Sequence, residues 1–207
     1  WKDLSHRIRN LPKASLNKGA PKRMSLAGAQ HKMVVIYEPK SHELGEPLKG
    51  TPPAHILQPN STAASYPDSV SNETFTMMLA ARLGLNVPKV WHLYLPEPAF
   101  IIERFDRAPG PDEPLRLHVL DGTQMLNEPS YNKYSSETFP KLKDLIEQCR
   151  NKAAARLETF RWIVFNTMVG NSDSHLKNIS FIVGHEGISV APFYDLLCTA
   201  VYHTRVF

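Results

Sequence analysis

The sequence predicts an α+β fold in which strands come first and helices follow. Runs rich in β-branched residues at positions 32–37 and 54–58 are typical of strands. From position 142 onward, apolar residues instead recur every three or four positions, which is the spacing of helices with one buried face. A segment rich in Pro and Gly at positions 108–114 has the composition of a connector. We therefore expect two lobes, a β-rich one at residues 24–104 and a helical one at 105–207.

The first lobe contains one predicted helix and a hairpin. Residues 44–47, Leu-Gly-Glu-Pro, predict a turn between the first two strands. A helix is expected to begin near Ser71 and to end at Gly84 in the left-handed conformation. The predicted buried face of this helix consists of Phe75, Met78, Leu79 and Leu83. Strands at 90–95 and 99–103 then form the hairpin around a Pro-Glu-Pro turn.

Two helices dominate the second lobe. Apolar residues at helical spacing between positions 142 and 149 predict the first of them. Residues 157–169 are apolar on nearly every side, which is typical of a buried central helix. The aromatic and sulfur side chains expected in its core are Trp162, Phe165 and Met168. Gly170 ends this helix, and residues 179–190 predict a second hairpin.

Length and composition are those of a globular protein from a reducing compartment. The chain has 207 residues, of which 42% are hydrophobic and 21% charged, and this excludes a disordered tail. Its two cysteines, Cys149 and Cys198, imply no disulfide framework. No stretch reaches the roughly 18 apolar residues of a membrane span. The expected location is therefore the cytoplasm, without membrane contact.

Positive charge is concentrated at the beginning of the chain. Residues 1–32 contain eight Lys or Arg and one Asp, a net charge of +7, whereas the remainder carries −3. Residues 1–23 therefore predict a basic, mobile arm, because their charges stand among Asn, Pro, Gly and Ser. Such an arm either contacts nucleic acid or a phosphorylated loop, or is only a solvated terminus.

One segment of the second predicted lobe contains the carboxylate and amide side chains that phosphoryl transfer needs. It runs from Gly170 to Asn178 and is followed, after the hairpin, by Asp195. Asp173 and Asn178 have the spacing of a protein-kinase catalytic loop, although Asp and Asn are also common turn residues. Phosphoryl transfer from ATP needs one carboxylate to take the proton of the acceptor hydroxyl, and an amide and a second carboxylate to hold Mg²⁺. We therefore expect Asp173 to be the base, and Asn178 and Asp195 to be the magnesium ligands.

Six segments occur in the order typical of one protein family. They are residues 25–32 (SLAGAQHK), 51–59 (TPPAHILQP), 72–73 (NE), 102–107 (IERFDR), 173–178 (DSHLKN) and 194–195 (YD). In these segments, which cover most of residues 24–198, the chain resembles the HipA family of bacterial serine/threonine kinase toxins. The family's additional N-terminal subdomain is expected to be missing, which fits the shorter, HipT-like members. The resemblance implies a two-lobed, protein-kinase-like fold that uses ATP and Mg²⁺.

The resemblance also implies roles for individual residues. The positions that it implies for nucleotide binding are Ala27, Gly28, Lys32, Gln58, Glu103, Phe105, His175, Asn178 and Asp195. Glu103 and Phe105 would bind the adenine edge through their backbone, as a kinase hinge does. His175 is further expected to fix the loop by hydrogen bonding to its backbone. Ser25 corresponds to an autophosphorylation site that governs the phosphate loop, or it only caps that loop through its hydroxyl.

Gln58 departs from the family's pattern. The family has a lysine there that anchors ATP, and Glu73 is the candidate partner of this position; alternatively, Glu73 only complements the helix dipole. A neutral Gln cannot neutralise a phosphate, and the loss of a charged hydrogen bond costs about 1.5–3 kcal/mol. Gln58 is therefore either an inactivating replacement or the sign of a weak kinase or pseudokinase.

Three functional classes are compatible with these observations. The first is a kinase toxin with a small, HipB-like DNA-binding antitoxin as its partner and, by resemblance, an aminoacyl-tRNA synthetase as its substrate; DNA would be reached only through the antitoxin. The second is a nucleotide-binding pseudokinase or interaction module, which Gln58 favours. The third, a nucleic-acid-binding domain that uses the basic arm, lacks a recognised binding motif. A helical lobe that stops at Phe207 would expose apolar helix faces, so we also expect the second lobe to be incomplete.

Overall fold

The computed structural model describes residues 32–47, 52–110, 114–128 and 138–203. Contacts along the chain divide it into two units. The first unit contains the described residues up to Thr74 together with Lys89–Glu103, and the second contains Phe75–Pro88 together with the described residues from Arg104 onward. The elements confirm the α+β class. The predicted boundaries of the arm and of the two lobes stay predictions.

The first unit is built on a five-stranded antiparallel sheet. Its strands, in spatial order, are β2 (Glu43–Gly45), β1 (Met33–Glu38), β3 (His55–Pro59), β5 (Pro98–Glu103) and β4 (Val90–Tyr94). The two predicted first strands and the predicted hairpin are confirmed. The predicted turn at 44–47 is wrong in part, because Leu44 and Gly45 pair with β1. The chain reverses earlier, where His42 adopts a left-handed φ of 56°.

One face of this sheet carries an apolar core. Its buried members are Val35, Tyr37, Leu57, Leu95, Ala99 and Ile101. The strand period of two places His55 on the same face as Leu57. The imidazole of His55 contacts the rings of Tyr37 and Trp91 edge-on, with centroid distances of 5.9 and 5.5 Å. An ionisable ring is thus enclosed by aromatic side chains.

Helix α1 (Ser69–Arg82) begins two residues before the predicted start and ends as predicted. Gly84 follows it with a φ of 79°. The Gly84 N–H donates to the carbonyl of Ala81, and the Leu85 N–H donates to the carbonyl of Ala80. This pair of bonds is the Schellman arrangement that a left-handed Gly makes possible.

The predicted buried face of α1 is wrong for three of its four residues. Phe75, Met78 and Leu83 are exposed, with 69% of the Phe75 surface open to solvent. The positions that the helix buries are Ser69, Val70, Glu73, Thr74, Thr76, Met77 and Ala80. Four of the seven are polar, and the Thr74 hydroxyl donates to the Val70 carbonyl at 2.7 Å, so a buried threonine needs no partner outside the helix. Hydrophobicity therefore does not mark the buried face of this helix.

The second unit contains a three-stranded antiparallel sheet. Its strands, in spatial order, are β8 (His118–Asp121), β9 (Ser180–Gly184) and β10 (Gly187–Val190). Strands β9 and β10 form the predicted second hairpin. Strand β8 was not predicted, because four residues are too few to show an alternating pattern. A short antiparallel pair, β6 (Arg107–Ala108) and β7 (Leu115–Arg116), precedes it in the chain.

Four further helices occur in the described part of the second unit. They are α2 (Gly122–Met125), α3 (Thr138–Glu147), α4 (Lys152–Val169) and α5 (Ala200–His203). Helix α3 packs against α4, and the predicted apolar residues Leu142, Leu145 and Ile146 are buried. No helix of the described residues is long and apolar enough to cross a membrane.

The predicted all-round burial of the central helix is wrong. Trp162 and Phe165 are buried as expected, and the Trp162 ring stacks on Phe193 with a centroid distance of 6.0 Å. Met168, which was expected in the core, is 82% exposed. It ends an exposed stripe at helical spacing that consists of Leu157, Phe160, Val164 and Met168. Within the described residues, one face of α4 is covered and this stripe is not.

His55 is held as a neutral imidazole. The Tyr37 N–H donates to Nδ1 of His55 at 3.2 Å, which requires that this nitrogen carries no proton. Burial lowers the pKa of His55 below its usual 6.5, against the opposing effect of the Glu103 and Glu38 carboxylates. As the pH falls, the unfolded chain therefore binds a proton at this histidine before the folded chain does. The contribution of neutral His55 to the free energy of unfolding is complete above about pH 6.5 and declines as the pH falls below that value.

We predict that the free energy of unfolding falls from about pH 7 to about pH 5, and that His55→Asn reduces this fall. Asn keeps an acceptor for the Tyr37 N–H but does not titrate. Urea denaturation at a series of pH values measures the effect. The matched control is His118→Asn at an exposed position, which should keep the parent's pH dependence. Identical pH profiles for His55→Asn and the parent would contradict the assignment.

Candidate active site

The loop at residues 170–178 starts from a fixed helix end. Gly170 has a left-handed φ of 69°, and the N–H groups of Gly170 and Asn171 donate back to the carbonyls of Thr167 and Asn166. A Cβ atom on residue 170 would lie 2.7 Å from the Cβ of Ala200. Both the backbone angle and this close approach require Gly, so α4 ends here in one geometry.

Two asparagine amides connect the end of α4 to the loop by hydrogen bonds. Nδ2 of Asn166 donates to the carbonyl of Trp162 at 2.8 Å, and Nδ2 of Asn171 donates to Oδ1 of Asn166 at 2.7 Å. Oδ1 of Asn171 in turn accepts from the N–H of Asp173 at 3.1 Å. Each amide uses its donor towards the helix and its acceptor towards the loop. The backbone of Asp173 is therefore positioned by the last turns of α4.

Thr199 joins the same loop to the chain beyond Asp195. Its hydroxyl donates to the Gly170 carbonyl at 3.0 Å and accepts from the Ser172 N–H at 2.6 Å. The Ser172 hydroxyl lies 2.8 Å from the same oxygen and must be the donor there, because the one proton of Thr199 is already used. One buried hydroxyl thus makes three hydrogen bonds across the two segments.

Asn178 lies beside Asp173, as the spacing predicts. Its Nδ2 donates to the carbonyl of Asp173 at 2.9 Å, and its N–H donates to the carbonyl of His175 at 2.8 Å. A 3₁₀ turn at Leu176–Asn178 provides the curvature. Because Nδ2 is bound to the loop, Oδ1 is the atom of this side chain that no described residue uses. An amide held in this way presents an oxygen ligand.

Asp173 and His175 differ in exposure. Nε2 of His175 lies 3.6 Å from Oδ1 of Asp173, with 6% of the His175 side chain and 39% of the Asp173 side chain exposed. The imidazole therefore lies beneath the carboxylate, and the carboxylate reaches the surface. This arrangement leaves Asp173 accessible to an outside group.

Tyr194 connects Asp195 to the loop. The Tyr194 hydroxyl lies 2.9 Å from the carbonyl of Lys177 and 2.8 Å from the hydroxyl of Ser180. Asp195 itself has a left-handed φ of 60°, a region that Asp enters more readily than most residues. The structure therefore brings the segment that carries Asp195 against the residue before Asn178.

In the first unit, the structure brings Gln58 and Glu73 together. Nε2 of Gln58 donates to Oε2 of Glu73 at 2.8 Å, and both residues are buried. Gln58 ends the buried run of β3, and Glu73 lies on the buried face of α1. Glu73, the candidate partner of Gln58 from the sequence, is thus in contact with it.

The remaining predicted site residues fall in several places. Glu103 ends β5, and its N–H donates to the carbonyl of Lys89 at 2.9 Å. The Phe105 ring stacks on Tyr194 at 5.4 Å, and the Phe105 N–H donates to no acceptor within the described ranges. Lys32 is the residue before β1. The predicted positions that lie outside the described residues are Ser25, Ala27 and Gly28.

Sequence reasoning missed the residues that hold the loop. They are Asn166, Asn171, Ser172, Ser180, Tyr194 and Thr199. Asn166 and Asn171 could have been identified from the sequence, because they lie on both sides of the Gly that ends the helix and amides buried there need hydrogen-bond partners. Thr199 could not, since it lies 27 residues from its partner Ser172.

A family model described as HipA-like C-terminal domain matches residues 24–206. The chain belongs to this family. The predicted resemblance is therefore confirmed, and the loop described above is that of a HipA-like C-terminal domain.

Two curated proteins illustrate the relationship. The chain is 38% identical over 186 residues to the protein Y4mE of Sinorhizobium fredii, and the match covers 87% of this chain and 43% of that protein. It is 33% identical over 197 residues to the serine/threonine-protein kinase toxin HipA of Shewanella oneidensis, covering 87% of this chain and 44% of HipA. The HipA-like chain thus spans less than half the length of these relatives.

A solved structure confirms the fold class. A chain from the complex of Shewanella oneidensis HipA with HipB and its operator DNA superimposes with a TM-score of 0.79 at 30% identity. The match covers 97% of this chain and 50% of that one. The predicted α+β, two-lobed, kinase-like class is therefore confirmed, and the HipA-like chain corresponds to about half of that structure.

We predict that Thr199→Val lowers the free energy of unfolding by about 1–3 kcal/mol, because Val fills the same volume but leaves buried polar groups of Gly170 and Ser172 without their partner. Thr199→Ser is the matched control, since it keeps the hydroxyl. Urea denaturation of the two variants measures the difference. No loss in Thr199→Val, together with a loss in Thr199→Ser, would show that the methyl group, and not the hydroxyl, stabilises the loop.

Proposed function

We propose that this chain binds ATP and transfers its γ-phosphoryl group to a Ser or Thr hydroxyl of a protein. The observation that carries this proposal is the pairing of Asp173 with Asn178, whose amide donates to the Asp173 carbonyl at 2.9 Å. The pairing places a partly exposed carboxylate and an unused amide oxygen on one short loop. Membership in the HipA-like family, which includes a protein named as a serine/threonine kinase toxin, supports the same reaction class.

Asp173 has the position expected of the base. In the transfer, the acceptor hydroxyl oxygen bonds to the γ-phosphorus, the bond between that phosphorus and the ADP oxygen breaks, and the hydroxyl proton goes to the Asp173 carboxylate. The carboxylate is partly exposed, so an acceptor side chain can reach it. His175, 3.6 Å away and buried, supports the carboxylate from below.

Asn178 and Asp195 fit Mg²⁺. The ion prefers oxygen ligands and usually takes one or two from the protein, while water and phosphate oxygens complete its shell. Asn178 offers Oδ1, and Asp195 accepts a hydrogen bond from no described residue. Bound there, Mg²⁺ would neutralise charge on the phosphates. No cluster of three or more His, Cys, Asp or Glu side chains suited to a metal occurs in the described residues.

The connector between β5 and β6 suits an adenine edge. The proposed contacts are the backbone groups of Glu103 and Phe105. The Phe105 N–H is available, since no described residue accepts from it. The phosphate-loop roles of Ser25, Ala27, Gly28 and Lys32, and autophosphorylation of Ser25, remain proposals from the family resemblance.

A second candidate function is a nucleotide-binding pseudokinase or interaction module, and the Gln58–Glu73 hydrogen bond favours it. The amide meets Glu73 at 2.8 Å in a buried site, where the family has a lysine. Gln keeps the donor but supplies no positive charge for a phosphate. A kinase with this replacement would be slowed by about one to two decades, which follows from the 1.5–3 kcal/mol of a charged hydrogen bond.

The biological setting follows from the relatives. The Shewanella oneidensis structure contains HipA, HipB and operator DNA. We propose a HipB-like antitoxin as the partner of the longer protein and contact with DNA only through it. An aminoacyl-tRNA synthetase as the protein substrate is proposed from the family resemblance alone.

We predict that Asp173→Asn abolishes phosphoryl transfer but keeps nucleotide affinity, because it removes the base and leaves the proposed metal ligands intact. Asp195→Asn should instead weaken magnesium-dependent binding. Calorimetry with ATP, with and without Mg²⁺, and transfer of labelled phosphate to protein separate the two effects. Undiminished autophosphorylation in both variants would contradict these roles.

We predict that Gln58→Lys raises ATP affinity or turnover by about tenfold or more, since Lys would pair with Glu73 and place a cation near the phosphates. Gln58→Met is the control, because it fills a similar volume without a donor or a charge. Calorimetry and phosphate transfer on the three proteins test this. No gain in either measurement would favour the second candidate, or would give Lys32 the same role.

A further inference from the structure

We propose that Tyr194 is a positioning residue that holds the proposed magnesium ligands Asn178 and Asp195. The inference rests on the proposed function, because it concerns the same metal site. Its basis is that one buried hydroxyl contacts the chain on both sides of Asn178, while the backbone of Tyr194 continues directly into Asp195.

The directions of the two hydrogen bonds follow from simple chemistry. The Lys177 carbonyl can only accept, so the Tyr194 hydroxyl donates its proton there at 2.9 Å. The Ser180 hydroxyl, 2.8 Å from the same oxygen, must then donate to Tyr194. A tyrosine phenol carries its proton at neutral pH. Tyr194 is therefore a permanent donor to the loop.

These contacts bracket Asn178. Lys177 precedes it, and Ser180 follows it by two residues at the start of β9. The Asn178 amide is itself bound to the Asp173 carbonyl, so its Oδ1 direction depends on where the backbone of residues 177–180 lies. The tyrosine hydroxyl fixes that backbone.

The ring of Tyr194 adds a third contact. It stacks on Phe105 with a centroid distance of 5.4 Å and an interplanar angle of 26°. Asp195 follows in a left-handed conformation, with a φ of 60°, which persists only where the neighbouring residues are well held. The stacked ring and the bound hydroxyl are what hold the residue before it.

Two variants test the hydroxyl of Tyr194 while its ring is kept, and a third is the control. Tyr194→Phe keeps the ring and removes both hydrogen bonds. Ser180→Ala removes one of them. Tyr94→Phe, at an exposed position on β4, is the matched control for the same chemical change.

The first measurement is amide hydrogen exchange of residues 173–180 without nucleotide or metal. Exchange should be about fivefold to tenfold faster in Tyr194→Phe, as expected for the loss of a net hydrogen-bond contribution, and less affected in Ser180→Ala. Tyr94→Phe should match the parent. Parent-like exchange in Tyr194→Phe would overturn the proposal, whatever the nucleotide data show.

The second measurement is calorimetry with ADP as the probe, with and without Mg²⁺. Tyr194→Phe should reduce the gain in affinity that Mg²⁺ gives by about tenfold and should change metal-free affinity less than twofold. An unchanged gain, or equal losses with and without Mg²⁺, would overturn the positioning role. If the parent binds ADP under neither condition, the proposed function fails, and hydrogen exchange alone still decides whether Tyr194 holds the loop.

Discussion

The left-handed end of α4 at Gly170 is the constraint on which the candidate site depends. A Cβ atom at this position would lie 2.7 Å from the Cβ of Ala200, so the helix end and the segment after Asp195 lie too close together for a side chain on residue 170. Thr199, next to Ala200, then bonds to Gly170 and Ser172. The start of the loop and the chain beyond the proposed metal ligand are therefore fixed by the same few atoms. Any change at Gly170 would displace both.

Neutral amides and hydroxyls make the hydrogen bonds that position the loop. Asn166, Asn171 and Asn178 each direct a donor and an acceptor along defined lines, and Thr199 and Tyr194 each join two segments. Such groups can be buried without the large desolvation cost of a charge, provided that each finds its partner. The charged groups of the proposed site are Asp173 and Asp195. A phosphoryl-transfer site needs both well-positioned groups and charged groups, because catalysis there depends on positioning and on electrostatic stabilisation.

In the first unit, the residue at position 58 bears on which of the two proposed functions is correct. Nε2 of Gln58 donates to Oε2 of Glu73 at 2.8 Å, and both residues are buried. A lysine at position 58 would place a cation, instead of a neutral amide, beside this carboxylate. What changes is the charge that a phosphate would meet, and that difference separates the kinase from the pseudokinase. Side-chain chemistry at one position, and not the fold, distinguishes the two proposed functions.

The sequence by itself determined the α+β class, both predicted hairpins, the helix ends at Gly84 and Gly170, and the pairing of Asp173 with Asn178. These features depend on local backbone preferences or on short spacings, which a sequence displays directly. Only the tertiary structure decided which helix faces are buried, since Phe75 and Met168 are exposed while Thr74 and Glu73 are not. It also decided that Thr199 and Tyr194 hold the loop. Such contacts join residues that are far apart in the chain, and the local sequence pattern does not indicate which distant groups form hydrogen bonds with each other.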